Sequence, residues 1–256
     1  MQSDIKIGII QLSSNDSLED NCKQLEYYFN QCLKSGAKFI LTPEVSNFIS
    51  NDENLRKSTL RTEKEDFMLQ QVIKLCKNFK VWSLIGSLAL KIKKNENNRY
   101  INRSILINPE GKIIARYNKI HMFDTYIDKE EKYLESKYFD PGNRLVLVKT
   151  PFANIGLTIC YDLRFPYLFS KLKKFGADLI CIPSAFTIKT GKDHWETLIR
   201  ARALENKIHI LAPAQCGQNT VSRNTWGHSL VVNPNGKILC DLGEKTGYSI
   251  IILKND

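Results

Sequence analysis

A thiol, a carboxylate and an ammonium stand at three separated points of the chain, each directly after an apolar run. Cys160 ends Ile155-Gly-Leu-Thr-Ile159, Glu44 follows Phe39-Ile-Leu-Thr-Pro43, and Lys119 closes Ile113-Ile-Ala-Arg-Tyr-Asn118. Such runs read as buried strands, and an α/β sheet gathers its reactive groups where strands end. At Cys160 a helix is expected to begin almost at once, so helix-start amides can stabilise a developing negative charge. A free thiol with a pKa of about 8.5 is mostly protonated at neutral pH and needs a base before it can attack an unreactive carbonyl. Glu44 is the candidate base, and burial beside its strand is expected to raise its pKa. The Lys119 ammonium, with a backbone N–H, would hold the oxyanion; loss of one such donor typically costs about 2.7 to 4 kcal/mol. Singly, the three have ordinary readings as a core cysteine, a solvated loop acid and a surface lysine. The combination carries the weight.

Other chemistries find less support. His121, His194, His209 and His228 lack a motif context and are expected as hydrogen-bonded structural or surface residues rather than partners of a thiol. The cysteines and histidines show no tight ligand spacing, and GxSxG, P-loop and GxGxxG patterns are missing, so neither a metal nor a cofactor is expected.

The elements that must position these groups alternate strand and helix, then turn to hairpins. Strands are predicted at 6–12, 38–42, 81–90, 100–108, 112–118, 145–149, 154–159, 178–182, 208–214, 227–233, 237–241 and 248–253. Leu18, Cys22, Leu25, Phe29 and Cys32 mark one helix face, and Met68, Val72, Leu75, Cys76 and Phe79 a second. A third helix after Cys160 is expected to bury Phe165, Leu168, Phe169, Leu172 and Phe175 and to end at Gly176. Asp193-His-Trp-Glu196 resembles a capping box that would open a fourth, running to about Asn206. The polar stretch 123–143 has no sustained period and reads as an ordered or lid-like loop. The fold class is α/β, with residues 1–256 as one domain.

Composition sets the outer limits. The 256 residues are 43% hydrophobic and 25% charged, which suits a soluble globular chain with a sizeable core. The start has no basic region followed by an apolar one, and no apolar run is long enough to span a membrane, so a cytoplasmic location is expected. Seven widely spaced cysteines without a CxxC pair read as reduced thiols. The formal charge of +10 is a weak pointer to nucleic acid, because the cations are mixed with acids, as at 91–99 and 128–132. No nucleic-acid and no membrane partner is expected, and a small anionic substrate is a better use for the charge.

Thr42-Pro-Glu44, Arg116-Tyr-Asn-Lys119-Ile-His-Met-Phe-Asp124 and Leu157-Thr-Ile-Cys160-Tyr-Asp-Leu-Arg-Phe-Pro166 resemble, in order, the three signatures of the nitrilase-like carbon–nitrogen hydrolases. The likeness runs nearly from end to end. It implies a four-layer α-β-β-α sandwich that pairs as a homodimer. It also implies Glu44 as general base, Lys119 supporting the tetrahedral intermediate, Cys160 as nucleophile, and Glu135 orienting Lys119 or the water. The activity implied is that of an amidase working through a cysteine thioester: the Tyr161 amide and Lys119 hold the oxyanion, ammonia departs, and water cleaves the thioester.

The segments Pro183-Ser-Ala-Phe-Thr187, Thr190-Gly-Lys-Asp-His-Trp-Glu196, Arg200-Ala-Arg-Ala-Leu-Glu205 and Ala214-Gln-Cys-Gly217 resemble the branch that hydrolyses deaminated glutathione. That branch is close to the ω-amidases acting on α-ketoglutaramate, and an N-carbamoyl amino acid is a further alternative. The first two substrates carry a carboxylate near the scissile amide. Arg164 is a candidate partner for it, since a guanidinium grips a carboxylate with two prongs, and Thr190 would add a hydroxyl. A catalytically silent binding module on the same fold would predict a damaged triad, which the sequence does not show.

Overall fold

The computed structural model describes residues 3–92, 99–126 and 132–254. Most of the two mixed-charge stretches at 91–99 and 128–132 therefore lies outside the described residues. The chain opens with strand β1 (Ile5–Gln11), helix α1 (Leu18–Lys34) and strand β2 (Phe39–Leu41). Helices α2 (Glu53–Thr59) and α3 (Phe67–Phe79) lead to β3 (Trp82–Lys91), β4 (Tyr100–Ile107) and β5 (Ile113–Asn118). Two short strands, β6 (Asp124–Tyr126) and β7 (Lys132–Leu134), precede β8 (Val146–Lys149) and β9 (Asn154–Leu157). Then come α4 (Pro166–Lys174), β10 (Leu179–Cys181), α5 (Ile188–Asn206) and β11 (His209–Ala212). A hairpin of β12 (Cys216–Thr220) and β13 (Arg223–Trp226) is followed by β14 (Leu230–Val232), β15 (Ile238–Asp241) and β16 (Gly247–Leu253).

Twelve of these strands form two six-stranded sheets, ordered β16-β1-β2-β3-β4-β5 and β15-β14-β11-β10-β9-β8. Each sheet has a parallel centre, β1-β2-β3 or β9-β10-β11, and antiparallel flanks. Period-two alternation decides what each face meets. In the first sheet Ile7, Ile9, Phe39, Leu41, Leu84 and Leu106 join a core shared with Ile155, Leu157, Leu179 and Leu211 of the second. The intervening Ile10, Ile40, Ile85 and Ile105 pack instead with Leu25 and Phe29 of α1 and Met68 and Val72 of α3. On the second sheet, Leu172 of α4 lies against Gly156 and Ile180, on the face opposite Leu157 and Leu179. The result is a sandwich with helices outside and two sheets within.

This topology brings one edge of each sheet to a common region. β2 runs parallel to β3, and β5 points the same way because two antiparallel pairings, β3-β4 and β4-β5, cancel. Glu44 after β2 and Lys119 after β5 therefore leave the same edge, while Cys160 and Ser184 leave the ends of parallel neighbours β9 and β10.

Several expectations need correction. α5 starts at Ile188, not near Asp193, with Thr187 Oγ1 accepting the Thr190 N–H at 3.4 Å. Gly191 looks like a helix breaker but sits in the first turn because Trp226 presses so close that a Cβ would come within 2.3 Å of it. Phe175 and Phe79 lie at helix ends facing solvent, 63% and 52% exposed, and Phe165 is only partly buried. The turn after Cys160 is five residues of 3-10 helix, Cys160–Arg164, and α4 begins only at Pro166. Stretch 123–143 holds the β6-β7 pair and a 3-10 turn, and α2 and the β12-β13 hairpin are elements the sequence pattern does not reveal.

Candidate active site

The Glu44 carboxylate is set by the turn that follows β2. The next residue, Val45, has φ 45, a left-handed conformation that a β-branched side chain resists. Ser87 holds that turn by accepting the Val45 N–H on its hydroxyl at 2.7 Å and the Ser46 N–H on its carbonyl at 2.9 Å. Gln215 Nε2 donates to the Glu44 carbonyl at 2.9 Å. Gly86 is required here: a Cβ on it would lie 1.8 Å from the Thr42 carbonyl oxygen.

Cys160 likewise has φ 49, so the two loops that face each other across the site both carry strained backbone. Asp162 stabilises the Cys160 turn. Its Oδ2 accepts the Ile159 N–H at 2.9 Å and the Tyr117 hydroxyl at 2.7 Å, and its Oδ1 accepts the His121 N–H at 3.1 Å. His121 Nδ1 also meets Oδ1 at 2.7 Å, and its ring stacks on Phe165 with centroids 3.5 Å apart. His121 thus belongs to the scaffold below the thiol. His194 pairs with Arg164, and His228 with Asp241.

Lys119, on leaving β5, is held by its backbone: its N–H donates to the Asn102 carbonyl at 2.9 Å and its carbonyl accepts from Gly142 N–H at 2.7 Å. Its Nζ donates to Glu44 Oε1 at 2.8 Å and Glu135 Oε2 at 2.7 Å. Asn102 of β4 completes the arrangement, with Nδ2 donating to Glu44 Oε1 at 2.9 Å and Glu135 Oε1 at 3.2 Å. The Phe123 N–H donates to Glu135 Oε2 at 2.7 Å. Glu44, Lys119, Glu135, Asn102, Cys160 and Tyr161 line one cavity of about 350 Å³.

The electrostatics follow from this geometry. Burial alone pushes the Glu44 carboxyl up, but the adjacent Lys119 ammonium and the hydrogen bonds from Lys119 and Cys160 outweigh it, leaving the pKa below the usual carboxylate value. This reverses the rise expected from burial alone. For Lys119, burial favours loss of the proton, yet the carboxylates of Glu135 and Glu44 overcome it and raise the pKa. The Cys160 thiol is raised, first by burial and then by the Glu44 charge, while Lys119 and the Ala185 backbone N–H oppose the rise. The resting site thus holds an ionised glutamate hydrogen-bonded to a protonated thiol, with an ammonium beside both. A carboxylate so placed can accept a thiol proton, and the ammonium can hold a negative oxygen.

Residues 6–254 fit the sequence model of a single family, Carbon-nitrogen hydrolase. The chain belongs to that family. A deaminated glutathione amidase of Yersinia enterocolitica is 40% identical over 91% of this chain and 81% of its own length. One from Mus musculus is 35% identical over 95% of this chain and 76% of its own. Among solved structures, Saccharomyces cerevisiae Nit3, a member of branch 10 of the nitrilase superfamily, superposes with TM-score 0.87 at 29% identity, covering 99% of this chain and 91% of Nit3. The Caenorhabditis elegans NitFhit protein superposes with TM-score 0.91 at 31% identity over 99% of this chain, which spans 61% of the NitFhit chain. The four-layer α-β-β-α architecture is therefore that of the nitrilase superfamily, and the protein is a hydrolase of carbon–nitrogen bonds.

In this hydrolase, Glu44, Lys119, Glu135 and Cys160 meet in one cavity, which Tyr161 and Thr190 also line. Arg164 does not contribute to that lining: its Nη2 lies 2.9 Å from His194 Nδ1, and its guanidinium centre is 5.7 Å from the Tyr161 ring centroid. Ser184 is fully buried, with its hydroxyl bonded to the Ile182 carbonyl at 3.0 Å, which is a structural role. Three contributors escape the sequence reading. Asn102 sits mid-strand without a motif, Ala185 contributes only its backbone N–H, and Arg223 comes from the unpredicted hairpin. For Ala185, the stop of β10 at Pro183-Ser184 was the available signal. Among the described residues no cluster of three or more His, Cys, Asp or Glu side chains is placed to hold a metal ion, and no helix is long and apolar enough to cross a membrane.

Proposed function

We propose that this hydrolase cleaves the amide of a small carboxylate substrate through a Cys160 thioester, with deaminated glutathione as the substrate. The observation that carries the reading is the hydrogen-bonded run from the Cys160 thiol to Glu44 to Lys119 inside one cavity. The names of the Yersinia and mouse relatives support the choice of substrate.

The steps balance as follows. The Cys160 proton passes to Glu44 as sulfur bonds to the amide carbon, and the carbonyl π pair moves onto oxygen, where Lys119 and the Tyr161 N–H meet it. Collapse breaks the carbon–nitrogen bond, and the leaving nitrogen takes the proton from Glu44. Water then gives a proton to Glu44 and attacks the thioester, and the departing sulfur recovers that proton. Glu135 keeps Lys119 in place by the 2.7 Å contact. Ammonia, expected from the sequence, is the leaving group from a terminal carboxamide such as α-ketoglutaramate, or from an N-carbamoyl group. From deaminated glutathione the departing amine is a cysteine-glycine dipeptide.

Thr190, on the cavity wall, supplies a hydroxyl to the substrate, and Arg164 reaches its keto-acid carboxylate after giving up His194. The same reading takes the protein as cytoplasmic, in keeping with its free cysteines. It also takes the chain as a homodimer that covers the exposed Tyr167 and Phe175 on and beside α4. Sedimentation at micromolar concentration measures the latter. The deciding assay follows dipeptide or ammonia release from deaminated glutathione, α-ketoglutaramate and an N-carbamoyl amino acid, for wild type and Cys160→Ala. Turnover of deaminated glutathione lost in Cys160→Ala is the expected result, and equal rates in the two proteins would refute it.

A further inference from the structure

The described cavity lining holds four cations, Arg56, Lys119, Lys132 and Arg223, against two carboxylates, Glu44 and Glu135. Lys119 bridges both carboxylates, and the described lining is left with two more cations than carboxylates. Two of these cations are built into the wall. Arg56 is only 7% exposed, stacks 4.2 Å from the Tyr138 ring centroid, and spends Nη1 on the Ser50 carbonyl at 2.6 Å. Its Nε and Nη2 are buried without a partner. Those two nitrogens share one edge of the guanidinium, the edge that grips a carboxylate with two parallel hydrogen bonds. Leaving such donors unpaired is unfavourable, and pairing with an anion would relieve that cost.

Arg223 is anchored through Nη2 to the Ala185 carbonyl at 3.0 Å, and its Nε is likewise buried and unpaired. It lines the same cavity as Glu44 and Cys160, and its charge helps to hold the Glu44 pKa down. The two arginines belong to one structure. Asn51, next to the Ser50 that holds Arg56, donates to the hydroxyl of Ser222 at 2.7 Å, and Ser222 precedes Arg223. Ser50, Asn51 and Ser222 all line the cavity. The segment from Val45 to Arg56 follows Glu44 directly, and Glu44 is the group that must protonate the leaving nitrogen. With Arg164 and Thr190 given the acyl half of the substrate in the reading above, this wall is the part of the lining left for the leaving amine.

We propose that Arg223 and Arg56 form a carboxylate-binding wall that selects amides whose leaving amine carries its own carboxylate. The assignment rests on the amidase reading above and deepens it: a dipeptide leaving group has such a carboxylate, whereas ammonia has none. Arg164 and Thr190 would serve the other end of the substrate.

The test compares deaminated glutathione with the same molecule ending in a carboxamide, which removes only the remote charge. Wild type is expected to favour the free acid by about 10- to 100-fold in kcat/KM, the range of a desolvated charge-assisted pair. Arg223→Gln and Arg56→Met should each shrink that preference, mainly through KM, and the double variant should bring it near one. Arg223→Lys should keep part of it, having the charge without the fork. A preference absent in wild type, or unchanged in the folded variants, overturns the proposal. If wild type cleaves neither compound, the amidase reading fails separately. The wall is then judged by calorimetric binding of the two compounds to Cys160→Ala, where equal affinities overturn it and a weaker carboxamide, equalised by Arg223→Gln, supports it.

Discussion

The Nζ of Lys119 lies 2.8 Å from Oε1 of Glu44, with side chains only 2% and 4% exposed. Two opposite charges so deeply buried are stable only together, since removing one leaves the other uncompensated at a cost of about 3 to 5 kcal/mol. Lys119→Ala is therefore expected to lower the urea midpoint as well as kcat, the latter by about 10²- to 10³-fold if the proposed oxyanion donor is lost. Glu44→Gln keeps the shape while removing the proposed base, and should lower kcat by about 10²- to 10⁴-fold with a smaller loss of stability, since Lys119 retains Glu135. Stopped assays and urea titrations of the two variants measure both effects.

Replacing Cys160, the proposed nucleophile, should be the most severe change for activity and among the mildest for the fold. Cys160→Ala is expected to lower kcat by about 10⁵-fold or more, as for other nucleophile deletions. Intact mass of wild type quenched during turnover should show an acyl adduct that the variant lacks.

The pH profile reports the Glu44 environment. Its folded pKa lies below the ordinary 4.5 because Lys119 and the hydrogen bonds outweigh burial. As the proposed base, Glu44 is therefore ionised at neutral pH, and the acid limb of kcat/KM for the folded enzyme should lie below pH 4.5. The linked stability has the same sign: it is present above the unfolded pKa and lost as pH falls through the depressed folded value. Asn102→Leu removes a donor from Glu44 and should move the acid limb upward. An acid limb of wild type near neutrality would contradict this account.

Asp162 has no place in the cavity lining, yet its carboxylate holds Ile159, Tyr117 and His121 around the strained Cys160. Asp162→Ala leaves those buried donors unmet and should destabilise the protein by about 2 to 4 kcal/mol. A positioning role predicts kcat falling more than KM rises. An equal loss of active-site titre, with kcat per active site unchanged, would point to a purely structural one.

Gly86→Ala tests the packing behind Glu44. The added methyl would overlap the Thr42 carbonyl, which cannot move without shifting Pro43 and Glu44. A loss of at least about 3 kcal/mol in stability is expected, with activity falling in the fraction that folds. Thermal melts and initial rates measure the two losses.

The alternation of strands and helices, the apolar faces and the strand-end positions of Glu44, Lys119 and Cys160 were legible because they are written in local patterns. A period of two or near four, a glycine after a helix, and a polar residue closing an apolar run need no knowledge of the distant chain. Tertiary structure decided what those groups meet. Burial of Glu44 could be read from Phe39–Leu41, but the sign of its pKa shift depends on Lys119, seventy-five residues away in sequence. Asn102 looked like any polar residue in a strand until β4 carried it between two glutamates. Arg164, close to Cys160 in sequence, turned toward His194, while Arg223 arrived at the cavity on a hairpin with no local signature. Electrostatics act through space, so partners are chosen by sheet register and loop closure, which no short stretch of sequence contains.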